Sequence, residues 1–201
     1  MPSALMSDDL NTQKPKPLDI FIVAEQFRFA GKLATLVTHH PSLKISQLAF
    51  AHDQNLPTAT MVCAAFSLEL YFKCLIRMEK KPYQTGHDLK KLFDFLGRRN
   101  QTKIKKYWNA NSSTVISDVQ RESIAIGSQI PEVNFDYCLS VSKDAFNLMR
   151  YMYESGIPPG AGWLGDVIVE GARQTILDRH PEWEHKRQVE PQPRTSFRST
   201  H

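Results

Sequence analysis

Three charges set into an otherwise apolar segment are the first residues whose spacing points to chemistry. From Thr58 to Met78 apolar side chains cover nearly every face of a helix, which suits only a central, surrounded helix. Within it Glu69, Lys73 and Arg77 stand four apart and fall in a single stripe. Such a stripe is either a solvent-facing ladder, each pair worth about 0.2–0.5 kcal/mol, or part of a buried ionic network. The latter is costly unless every member is paired, so its presence hints at specificity or function. A second concentration of charge is purely basic: Arg98, Arg99, Lys103, Lys105 and Lys106, followed at once by Tyr107 and Trp108. Clustered cations beside aromatics suit a nucleic-acid backbone and its bases. The competing reading is a solvated helix face with Trp108 as its core anchor.

Several chemistries are disfavoured by the same inspection. Cys63, Cys74 and Cys138 are an odd number and lie in apolar helical patterns, so packed, reduced thiols in a cytoplasm are expected. Neither a CxxC nor an HxxxH spacing occurs, and no metal site or cofactor is expected. The glycine-rich connector of residues 155 to 165 lacks GK[ST] and a preceding strand, which removes a phosphate-loop reading. No secretory leader is read at the N-terminus, and the longest strictly apolar run, Met61 to Phe66, is too short for a membrane span.

The elements that position these residues read as helices throughout. The spacing predicts a first helix from Asp19, as N-cap, to about Thr38, with Val23, Phe27, Ala30, Ala34 and Val37 inward and a close neighbour at Gly31. The central helix follows, with Leu70 expected in the core. After KKPYQTG comes an amphipathic helix with Leu89, Leu92, Phe93 and Leu96 inward. Further helices are expected over residues 100 to 108, 114 to 130, 135 to 154 and 163 to 179, the last stopped by Pro181. The fold class is therefore all-α, an up-and-down bundle of five or six helices over residues 19 to 181. Residues 1 to 18 and 182 to 201 are expected to lack fixed structure.

Three fragments in order resemble one family. FSLELYFKCLI, GHDLKKLFDFL and FNLMRYMYES are similar to the HEPN superfamily of small helical domains, in the branch with E-x-x-x-K, G-H-D-L and R-Y-x-Y-E signatures. The matching residues are Glu69 with Lys73, Gly86-His87-Asp88-Leu89, and Arg150-Tyr151-Met152-Tyr153-Glu154. The resemblance covers about residues 20 to 180. It implies ligand-binding roles for Glu69, Lys73, His87, Asp88, Arg150, Tyr153 and Glu154. It also implies a dimeric bundle that binds RNA or nucleotides, in a toxin–antitoxin or phage-defence setting, often beside a minimal nucleotidyltransferase.

Many members of that family cut RNA without a metal through an R-x4-6-H motif. Here Arg150 stands at the family's arginine position, but Ser155, Gly156 and Ile157 fill the histidine window. Arg173 and His180 offer the motif elsewhere. Seven apart on one helix they would share a face, placing a phosphate-binding cation beside a general acid or base. Their competing reading is a pair of surface residues at a helix C-terminus, where cations suit the dipole. Glu69 and Lys73 read either as an exposed i,i+4 pair or as a network with His87 and Arg150. His87-Asp88 reads equally as a helix cap. Binding of RNA or nucleotide is expected over catalysis; an endoribonuclease and a ligand-free interaction domain are the alternatives. Self-association is expected from the family habit and the exposed-looking aromatics Trp163 and Phe146.

Overall fold

The computed structural model describes residues 14–39, 55–127, 132–145 and 163–186. All regular structure among them is helical: α1 (Pro17–His39), α2 (Asn55–Met78), α3 (Leu89–Phe95), α4 (Arg98–Asn111), α5 (Ser113–Ile126), α6 (Phe135–Ser142) and α7 (Asp166–Leu177), then a 3₁₀ turn, Pro181–Trp183. Seven α-helices among the described residues fit the expected all-α bundle. Part of the Phe135–Glu154 pattern, including Phe146, lies outside the described residues.

The expected centre is the centre. On α2 Leu68, Tyr71, Phe72, Cys74, Leu75 and Ile76 are fully buried against α1, α3 and α7. Each such large apolar side chain contributes about 1.5–3 kcal/mol by leaving water. By length and composition Ala59–Met78 could cross a membrane; its burial inside the bundle accounts for that apolarity. Leu70, expected inside, is only partly buried, because the face between α1 and α3 is filled by its neighbours. An aromatic chain continues the core outward, with Phe72 to Phe93 at 5.8 Å and Phe93 to Phe135 at 4.9 Å between ring centroids.

Residue chemistry explains the element ends. Proline at the first helical position starts α1 two residues before Asp19, which lies in the first turn, where a carboxylate suits the dipole. The inward face of α1 differs from expectation: Phe21, Ala24, Glu25 and Gly31 are buried, Val23 and Phe27 are half-buried, and Ala30 is exposed. The helix packs chiefly on α2 and reaches α7 through the Arg28–Glu170 and Glu25–Arg173 pairs. Gly31 is where the close neighbour is found, since a Cβ there would lie 3.2 Å from the Cys63 Cβ and 3.3 Å from the Thr60 carbonyl. Asp88 caps α3 by accepting from the Lys91 N–H at 2.9 Å, and Asn134 caps α6 by accepting from Tyr137 at the same distance. Leu89, Leu92, Phe93 and Leu96 all face inward.

The last helix is shorter than expected. It closes at Leu177, and the chain turns at Asp178 before Pro181, which disfavours helical geometry in the residue before it. Trp183 then packs back on Phe21 at 5.6 Å, so the packed chain extends past the expected boundary at 181.

Candidate functional site

Two polar constellations are brought together, and only one was expected. The first joins α2 to the segment before α3. Glu69 and Lys73 are not on a solvent-facing ladder: their side chains are 2% and 5% exposed, and the ammonium lies 2.7 Å from the carboxylate. The His87 Nδ1 lies 3.0 and 3.1 Å from the two Glu69 oxygens, with its side chain 46% exposed. A carboxylate only accepts, so that nitrogen carries the proton. Lys73 also sits 5.6 Å above the Tyr83 ring. The result is a buried charge pair connected to the surface by one imidazole. Asp88 is not part of it; its carboxylate is spent on the α3 cap and on Lys91 at 3.5 Å. Arg150, Tyr153 and Glu154, the remaining expected ligand residues, lie outside the described residues.

The expected catalytic pair is separated. Arg173 remains on α7, but His180 lies beyond its end with φ −135°, so the two do not share a helix face. Arg173 turns inward and donates from Nε to Glu25 at 2.8 Å. His180 stacks on Trp183 at 4.1 Å with 10° between planes, and its Nδ1 lies 3.0 Å from Glu182.

Arg173 instead belongs to a second constellation that sequence reading missed. Glu25 accepts from the Tyr71 hydroxyl as well as from Arg173. Arg28, on the next turn of α1, donates from Nε and Nη2 to the two Glu170 oxygens at 2.9 and 3.2 Å, and Lys32 reaches the same carboxylate at 3.1 Å. Burial and the Glu25 carboxylate push the Tyr71 hydroxyl far up, so it stays a neutral donor. Burial works against the Arg173 guanidinium, but Glu25 outweighs it and holds the group above its ordinary range. Burial likewise raises the Glu170 carboxyl, yet Arg28 and Lys32 bring it below the usual value. The only signals in the sequence were the i,i+3 pairs Glu25–Arg28 and Glu170–Arg173; their meeting across α1 and α7 is a matter of docking. A cavity of about 240 Å³ opens beside this network, between Gly31, Ala64 and Val169, but Arg28, Lys32 and Glu170 at its rim are spent on each other.

The basic stretch resolves mostly into structure. Trp108 is buried edge-on against Phe135 at 6.1 Å, which removes it as a base-stacking platform. Lys103 pairs with Asp178 at 2.6 Å and Lys105 with Asp136 at 3.0 Å; Arg98, Arg99 and Lys106 remain exposed. Trp163, expected on the surface, is 7% exposed and covers Gly165, leaving no room for a Cβ there. No cluster of His, Cys, Asp and Glu among the described residues could hold a metal ion. The three cysteines are free thiols, and burial pushes Cys138 up to about 11 and Cys74 further. No family model matches this chain, and neither the curated proteins nor the solved structures contain a match.

Proposed function

We propose that this chain is a HEPN-like helical bundle that binds RNA or a nucleotide at the polar cluster of Glu69, Lys73 and His87. The observation that carries the reading is the burial of the Glu69–Lys73 pair beneath a half-exposed histidine. A buried ion pair adds little stability that apolar side chains of similar volume would not supply. A polar cluster reaching the surface through an imidazole is what recognition of a polar ligand needs. The sequence resemblance supports the choice of RNA or nucleotide and extends it to a toxin–antitoxin or phage-defence setting, with a minimal nucleotidyltransferase as partner. Self-association belongs to the same reading. It is supported on α1, where Phe29 and Leu33, one turn apart, are 53% and 44% exposed.

A second reading, metal-independent cleavage, is favoured by one observation. The His180 imidazole is oriented by Glu182, as a general base would be. One experiment separates the two. Purified protein is titrated with a fluorescent RNA oligonucleotide and with ADP in EDTA, and the RNA is run on a gel afterwards. Salt-sensitive binding weakened about 2- to 10-fold by His87→Ala, with intact RNA, is the expected result. Cleavage abolished by His180→Ala establishes the second reading. Absence of both binding and cleavage leaves a ligand-free interaction domain.

A further inference from the structure

At the end of the bundle where α2 finishes, α1 begins and the chain leaves α7, a groove of about 530 Å³ is lined by Lys16, Arg77, Lys80, Arg179, His180 and Trp183. No carboxylate is among its described lining residues. Elsewhere several surface cations are matched, Lys32 by Glu170, Lys90 by Asp94, Lys103 by Asp178 and Lys105 by Asp136, while Arg98, Arg99 and Lys106 on α4 stay exposed. Carboxylates near the groove are engaged: Asp178, which also acts on Arg179, is held by Lys103. Glu79 accepts from the Gly97 N–H, from Asn100 and from Lys81; Glu182 holds His180.

The four lysines and arginines are under-used. Arg179 donates to Asn100 at 2.5 Å, a neutral acceptor. Among the described residues Arg77 has a single long bond, 3.4 Å from Nη1 to the Lys81 carbonyl, and its buried Nε has no acceptor. Among the described residues Lys16 and Lys80 form no ion pair. Helix dipoles account for part of this: Arg77 is in the last turn of α2 and Arg179 just follows α7. They do not account for Lys80. That residue has φ 58°, and the bonds Lys80 N–H to Arg77 carbonyl (2.9 Å) and Lys81 N–H to Ile76 carbonyl (3.1 Å) place it at the left-handed position that closes a helix. Glycine takes that conformation without strain, and a residue with a Cβ does not. The fold would be served better by glycine; a lysine there adds a charge to the groove.

We propose that this groove binds a compact phosphate group, a monoester or short polyphosphate, as a site separate from the Glu69–His87 cluster. Four cationic side chains match an anion of charge −2 or more, whereas a monocarboxylate neutralises one of them. Compactness follows from what surrounds the groove. Along α4 the Lys103–Asp178 and Lys105–Asp136 pairs interrupt the run of cations, so among the described residues that helix offers an extended backbone no unbroken track. The phosphate can belong to a free nucleotide or polyphosphate, or to the 5′ end of an RNA.

The test uses the full chain and inorganic tripolyphosphate, followed by calorimetry and by Trp183 fluorescence. The expected result is binding that weakens as salt rises and that Lys80→Gly and Lys16→Gln each reduce about 10-fold. The Lys80→Gly variant should melt no lower than the wild type, which separates lost affinity from lost fold. ADP and a pair of oligonucleotides, 5′-phosphorylated and 5′-hydroxyl, identify the source: preference for the phosphorylated oligonucleotide assigns an RNA terminus, and tighter ADP or tripolyphosphate binding assigns a free anion. No tripolyphosphate binding, or binding unmoved by both substitutions, overturns the proposal. Binding lost in His87→Ala but kept in Lys80→Gly overturns it as well, while sustaining the cluster as the ligand site.

Discussion

Arg173 on α7 donates from Nε to Glu25 on α1 at 2.8 Å, beside the Tyr71 hydroxyl that donates to the same carboxylate. The arginine that the motif spacing offered to a phosphate is thereby committed to holding three helices together. Removing it leaves Glu25 buried with only the more distant Arg28, 3.9 Å away, as a cation. Arg173→Ala should therefore cost about 2–3 kcal/mol, measured by urea denaturation. A loss below about 1 kcal/mol would mean the guanidinium is not structurally engaged.

The Glu69–Lys73 pair makes a sharper prediction because both partners are almost fully covered. Glu69→Ala strands an ammonium and should cost about 3–5 kcal/mol, whereas Glu69→Leu combined with Lys73→Met should recover most of that loss. If the double substitution also abolishes ligand binding while the fold survives, the pair is retained for recognition. Unchanged binding in a folded double variant would refute the cluster as the site.

Core truncations test the orientation of α2. Leu75→Ala, at a fully buried position, should cost about 2–5 kcal/mol. Leu70→Ala should cost clearly less, since Leu70 only lines the edge of the core. Equal losses in thermal melts would place the inward face elsewhere.

Acid should loosen the contacts that the end of the bundle around α7 makes with α1 and α4. The Glu170 carboxyl is brought below its ordinary value of 4.5, and that of Asp178, chiefly by the Lys103 hydrogen bond, below 3.8. For a depressed carboxyl, stability is present above the unfolded value and lost as pH falls through the folded one. Denaturation midpoints should thus hold from neutrality to about pH 5 and decline below it. Glu170→Gln should be less stable at neutral pH and flatter through the acid range; an unchanged acid limb would remove this carboxylate from the account.

Self-association should depend on α1. Leu33→Asp places a charge beside the exposed Phe29 and should shift a dimer toward the 23.0 kDa monomer in sedimentation velocity. A wild-type chain that is monomeric at micromolar concentration would withdraw the dimer.

Composition and periodicity by themselves determined the helical class, the central place of residues 58 to 78, the inward face Leu89, Leu92, Phe93 and Leu96, and the close approach at Gly31. All of these follow from local rules: a helix apolar on all sides must be surrounded, and a glycine inside a helical pattern tolerates a neighbour that a Cβ would not. The i,i+4 spacing of Glu69 and Lys73 was legible too, but not its environment, because burial depends on what packs above the stripe. Tertiary structure alone decided that His87 reaches Glu69 and that Arg173 faces Glu25 rather than solvent. It also gathered Lys16, Arg77, Lys80 and Arg179, residues as much as 163 positions apart in sequence, around one groove. Charges this distant meet only when helices dock, and docking is set by the summed packing of whole faces, which no local pattern encodes.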